Sequence, residues 1–130
     1  MGVLARLFGT EQDSDDEVML RRYRHLLDSA PRESIEQAHA EAFSALPEPE
    51  RAAIYEELSR GSGTGERPLS SEPATLARSA SRAEQRVPGT LENTLRAADD
   101  RGGFAGGLVD PVVDHVARSP LVSAFLPWNG

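Results

Sequence analysis

A chain of 130 residues has the length of one domain and can bury a single core, yet Leu, Ile, Val and Phe make up only about a fifth of it, near the composition at which chains stay disordered. All 14 basic residues are arginine and there is no cysteine, which removes lysine Schiff bases, lysine-dependent phosphate loops, disulfides, thiolate metal sites and cysteine nucleophiles. A net charge of −7 disfavours nucleic acid as a partner, because affinity for a phosphate backbone comes largely from cations that displace its counterions.

Val3, Leu4, Leu7 and Phe8 fit two turns of helix with one apolar face, too short to be stable alone in water. Residues 1–14 are therefore expected to be a mobile N-terminal segment, with an anchor on a membrane surface or partner as the other reading. The apolar run is too short for a secretory signal, and Arg6 stands where myristoylation wants serine or threonine. With no stretch of about 18 apolar residues to span a bilayer, the expected location is the cytoplasm, or the periphery of the membrane.

Ser14 and Glu17 fit a capping box that opens a helix over residues 15–29. Its apolar face carries Met19, Leu20, Tyr23, Leu26 and Leu27; Arg21, Arg24, His25 and Asp28 lie opposite. Pro31 turns the chain, and the short connection predicts an antiparallel second helix. Ser34 and Gln37 fit another capping box, and Ile35, Ala38, Ala42, Phe43 and Leu46 form a stripe onto which the rest of the chain is expected to pack. A third helix runs from Pro49 to Arg60 with Ile54, Tyr55 and Leu58 inward and a Glu56 to Arg60 ion pair outward, completing a three-helix unit over residues 15–60.

Residues 61–72 read as a flexible Gly-rich linker. Two further helices follow over residues 73–101: one from Pro73 to Arg86 with a narrow face of Leu76, Ala80, Ala83 and Val87, and one capped by Thr90 carrying Leu91, Leu95 and Ala98. Gly102, Gly103, Gly106 and Gly107 make a hinge, and residues 102–130 form an apolar C-terminal tail with short helices begun by Asp110-Pro111 and Ser119-Pro120. The expected fold class is all-α: a small helical bundle of short helices with flexible Gly-rich linkers and loose termini.

The segments Tyr23-Arg24-His25-Leu26-Leu27, Ile35-Glu36-Gln37-Ala38-His39-Ala40-Glu41-Ala42-Phe43, Leu76-Ala77-Arg78, Arg82-Ala83-Glu84 and Pro88-Gly89-Thr90-Leu91-Glu92 resemble those of a family of small uncharacterised helical bacterial proteins, sometimes labelled cation-transporting ATPase. The resemblance covers about residues 18 to 95 and implies an all-helical unit with a glycine-rich apolar tail; it supplies no catalytic residues. The ATPase label lacks supporting motifs, since both the phosphorylated site of a transport ATPase and a phosphate-loop site need lysine.

Glu36 and His39 have the spacing that helical bundles use to present two ligands to a metal, but a di-iron site needs two such pairs and further carboxylates. His39 is expected instead to sit in or beside the core with a ring nitrogen bonded to Glu36, a backbone carbonyl or a neighbouring helix. No Gly-x-Ser-x-Gly elbow supports a serine hydrolase. Arg78, Arg82 and Arg86, four residues apart, form a basic ridge whose mutual repulsion costs the helix a few tenths of a kcal/mol per pair and invites an acidic neighbour, either the Asp13 to Glu17 cluster or an outside partner. In the tail, Phe125, Leu126 and Trp128 belong to an apolar run expected either to complete the core or to detach and dock.

The sequence thus leads to a non-enzymatic helical interaction or adaptor protein of unknown partner, with no catalytic residue, cofactor or metal. Arg78, Arg82, Arg86, Phe125, Leu126 and Trp128 are the candidate interaction residues, and Glu36 and His39 are residues of interest. The alternatives are a peripheral membrane-associated protein that uses its terminal apolar segments and, last, a metal-binding helical bundle. A homo-oligomer is open.

Overall fold

The structure is a computed structural model that describes residues 15–61 and 67–126. Among them are six α-helices, one turn of 3-10 helix and no strand. The helices are α1 (Asp15–Ser29), α2 (Arg32–Ser44), α3 (Glu48–Gly61), α4 (Pro73–Arg86), α5 (Thr90–Gly102) and α6 (Val109–Ala117), and the 3-10 turn is Ser123–Phe125. The protein is all-α. The N-terminal apolar turns, the Ser14 cap, residues 62–66 of the Gly-rich linker and Trp128 lie outside the described residues.

The apolar periodicities and the proline and glycine breaks predict all six helices, and α1 and α4 have the expected bounds. The starts of α2 and α5 follow different chemistry. The Ser34 capping box does not form: α2 begins at Arg32 behind extended Pro31 (φ −61°, ψ 148°), whose carbonyl accepts the Ile35 N–H at 3.1 Å. Proline's fixed φ suits the entry to a helix without any side-chain cap. Nor does Thr90 cap α5. Gly89 occupies that position at φ +96°, a left-handed conformation that side chains disfavour, and Thr90 is already helical.

Glu84 caps α5 instead. Its Oε2 accepts the Gly89 N–H at 3.0 Å and its Oε1 the Leu91 N–H at 2.9 Å. A nearly buried carboxylate is tolerated here because two donors and the positive end of a helix dipole surround it.

The helix order in space departs from simple hairpins. Although Ala30 and Pro31 alone separate α1 from α2, α1 packs chiefly on α6, and α2 on α4 and α6. Extended Pro31 makes a corner, and each apolar stripe finds its cover further along the chain. Helix α4 lies at the middle, against α2, α3 and α5. Leu76, Ala77, Ser79, Ala80, Ser81, Ala83 and Glu84 are all buried, much more of the helix than the narrow face expected, and small side chains let three neighbours approach. Val87, assigned to that face, is 61% exposed.

The tail closes the core. Val112, Val113, Val116, Val122 and Leu126 join one apolar cluster with Tyr23, Phe43, Ile54, Leu76 and Leu95. Polar ties hold the connections. Arg51 donates to the Leu46 carbonyl at 2.7 Å, the Ser71 carbonyl at 3.2 Å and the Glu48 carboxylate at 2.7 Å, binding the end of α2, the start of α3 and the approach to α4. Arg60 faces Glu57 at 3.9 Å in place of Glu56, and Glu57 also accepts from Arg101 of α5 at 2.6 Å.

Candidate functional site

His39 is fully buried on α2. Its Nδ1 lies 2.7 Å from the Ile35 carbonyl, which can only accept, so the proton is on Nδ1. Nε2 then accepts the Tyr23 hydroxyl of α1 at 2.8 Å, and the Phe43 ring stands edge-on at 5.8 Å between centroids. Both polar tips are satisfied inside an apolar core, and both groups are held neutral. Burial lowers the His39 pKa to about 4, and burial raises the Tyr23 hydroxyl well above its usual range.

Glu36 has no part in this pair. It is half-buried and faces Arg78 of α4 at 3.7 Å. The Glu36 and His39 spacing therefore does not produce a metal-ligand pair, and among the described residues no group of three or more His, Asp or Glu side chains could hold a metal. His25 donates Nε2–H to the Phe125 carbonyl at 3.2 Å, tying α1 to the C-terminal turn.

The arginines of α4 are on the surface. Arg78 is 64% exposed and faces Glu36 at 3.7 Å; Arg82 and Arg86 are exposed and form no ion pair among the described residues. The described part of the acidic cluster does not neutralise them: Asp16 sits beside Asp110 of α6, and burial followed by the Asp16 charge pushes the Asp110 carboxyl up. Of the apolar candidates, Phe125 is 37% exposed, whereas Leu126 is buried and is withdrawn from the interaction surface. The sequence left open whether the tail would complete the core or dock elsewhere, and Leu126 joins the core cluster.

A second polar cluster joins α1 to α5. Arg24 grips Glu92 with two bonds, Nε to Oε1 at 2.9 Å and Nη2 to Oε2 at 2.8 Å, and Arg96 adds two more to Oε2 at 3.0 and 2.7 Å. Hydrogen bonding from Arg24, more than offsetting partial burial, lowers the Glu92 pKa to about 2. The four-residue spacing of Glu92 and Arg96 was visible in the sequence; the partnership with Arg24 was not. The buried role of Glu84 was also missed, although a glutamate five residues ahead of a glycine that opens a helix is a usable signal.

Comparison with family models, with curated proteins and with solved structures finds no match for this chain.

Proposed function

We propose that the protein is a non-enzymatic helical interaction module whose recognition surface is the arginine ridge of α4, and that it receives an acidic protein partner. The observation that supports this is the unpaired state of Arg82 and Arg86, among the described residues, on a chain of net charge −7. Three like charges one turn apart cost the helix stability, and an acidic surface removes that repulsion while steering the encounter. Leu69, 92% exposed before α4, and Val87, 61% exposed at its end, supply apolar contact beside the charges.

Among the described residues, Val112, Val113, Val116, Val122 and Leu126 of the apolar tail join the core and leave the binding role, while Phe125 is 37% exposed. The resemblance to small helical bacterial proteins belongs to the same proposal; within its strongest block, Ile35, Ala38, His39, Ala42 and Phe43 are all buried and serve the fold. No helix among the described residues is long and apolar enough to cross a membrane.

The test compares the wild-type chain with the triple variant R78Q/R82Q/R86Q in affinity capture from the host extract and in titration with poly-glutamate and with anionic vesicles. The expected result is an acidic protein held by the wild type and lost from the variant, with salt-sensitive poly-glutamate binding that disappears likewise. Partners that bind both chains equally, or binding to vesicles alone, overturn the proposal.

A further inference from the structure

A cleft of about 550 Å³ opens where the C-terminal half of α1, the start of α2, the end of α4 and the start of α5 meet. That size is typical of small-molecule sites. Much of its polar lining is already engaged. Glu84 is committed to the Gly89 and Leu91 amides, and Arg24 and Glu92 to each other.

What is left uncommitted is specific. Ser81, 2% exposed, lines the cleft, and its hydroxyl has no hydrogen-bond partner. A buried hydroxyl without a partner is costly enough that one is expected to be supplied. Arg32 and Asp28 also line the cleft, are exposed, and form no ion pair among the described residues. The start of α2, to which Arg32 belongs, has no side-chain cap, so its first amides remain free to bind an anion. Leu27 and Ile35 give the cleft an apolar wall.

The free charges are thus one cation and one anion beside an apolar wall. The charges that line the cleft, Arg24 and Arg32 against Asp28, Glu84 and Glu92, leave a net charge of −1 there, which disfavours a phosphate or any polyanion. We propose that this cleft binds a small zwitterion of the α-amino-acid type with an apolar side chain. Its carboxylate meets Arg32 and the α2 amides, its ammonium meets Asp28, its side chain lies against Leu27 and Ile35, and the Ser81 hydroxyl gains its missing partner. The ridge residues Arg78, Arg82 and Arg86 do not line the cleft, so the two proposals stand or fall separately.

Leucine, N-acetyl-leucine, leucinamide and inorganic phosphate are titrated into the full chain, followed by calorimetry and amide chemical shifts. Leucine is expected to bind and to shift amides of the cleft. Losing either charge from the ligand should weaken it roughly tenfold, the worth of one charge-assisted contact. Asp28→Asn should weaken leucine and leave N-acetyl-leucine unchanged; Arg32→Gln should weaken both and leave leucinamide unchanged. N-acetyl-leucine or phosphate binding as tightly as leucine, or no binding of leucine at millimolar concentration, overturns the proposal.

Discussion

Tyr23 and Arg24 are neighbours on α1, yet they enter opposite kinds of chemistry. Tyr23 turns inward to His39 and forms a neutral, fully buried hydrogen bond; Arg24 turns outward to Glu92 and forms a charged clasp at the rim. The comparison shows that depth, and not residue type, decides which polar contact a helix can use. Within the core an ionised group loses its hydration and is suppressed, so His39 stays neutral. At the rim, water and a second arginine share the cost, and Glu92 stays ionised even in acid.

The largest effect expected is from His39→Ala, which opens a cavity beside Phe43 and strands the Tyr23 hydroxyl; a loss of about 2–5 kcal/mol in denaturant unfolding is expected. Tyr23→Phe keeps the ring and removes only the donor, leaving Nε2 unpaired, for about 1–3 kcal/mol. Glu84→Ala, which leaves the Gly89 and Leu91 amides uncapped, should cost about 1–2 kcal/mol. Glu92→Gln should cost about 1 kcal/mol or less and, unlike the core variants, should lose its effect in high salt.

Acid sharpens the same contrast. The His39 pKa is lower folded, about 4, than unfolded, about 6.5, so the unfolded chain binds the proton first. Its contribution is complete above pH 6.5 and falls by up to about 1.4 kcal/mol per pH unit between 6.5 and 4. The Glu92 carboxylate, with its pKa lowered to about 2, loses its contribution only in a more acid window, from about 4.5 downward. Unfolding measured against pH should therefore show two successive declines, the first absent in His39→Leu. Tyr23, with a raised pKa, contributes below pH 10 and loses that contribution above it.

The fold was more legible than the site. Helix α4 announced itself by Pro73 at its start and regular apolar spacing, and α5 ended where Gly103 permits φ +59°. That His39 would be buried followed from its place in the stripe of Ile35, Ala38, Ala42 and Phe43. Its partner Tyr23, sixteen residues away on another helix, did not. The arginine ridge could be read as a surface feature, but nothing local revealed that Asp16 would turn towards Asp110 and that Arg82 and Arg86 would have no ion pair among the described residues.

The sequence by itself determined an all-helical chain, its breaks, and the absence of lysine and cysteine chemistry, because helix periodicity, proline, glycine and composition act within a few residues. Only the tertiary structure decided that the tail would close the core, that Glu84 would cap a helix and that Arg24 would find Glu92. Those outcomes depend on which apolar stripes cover one another, and burial then fixes which polar groups must pair and in what charge state.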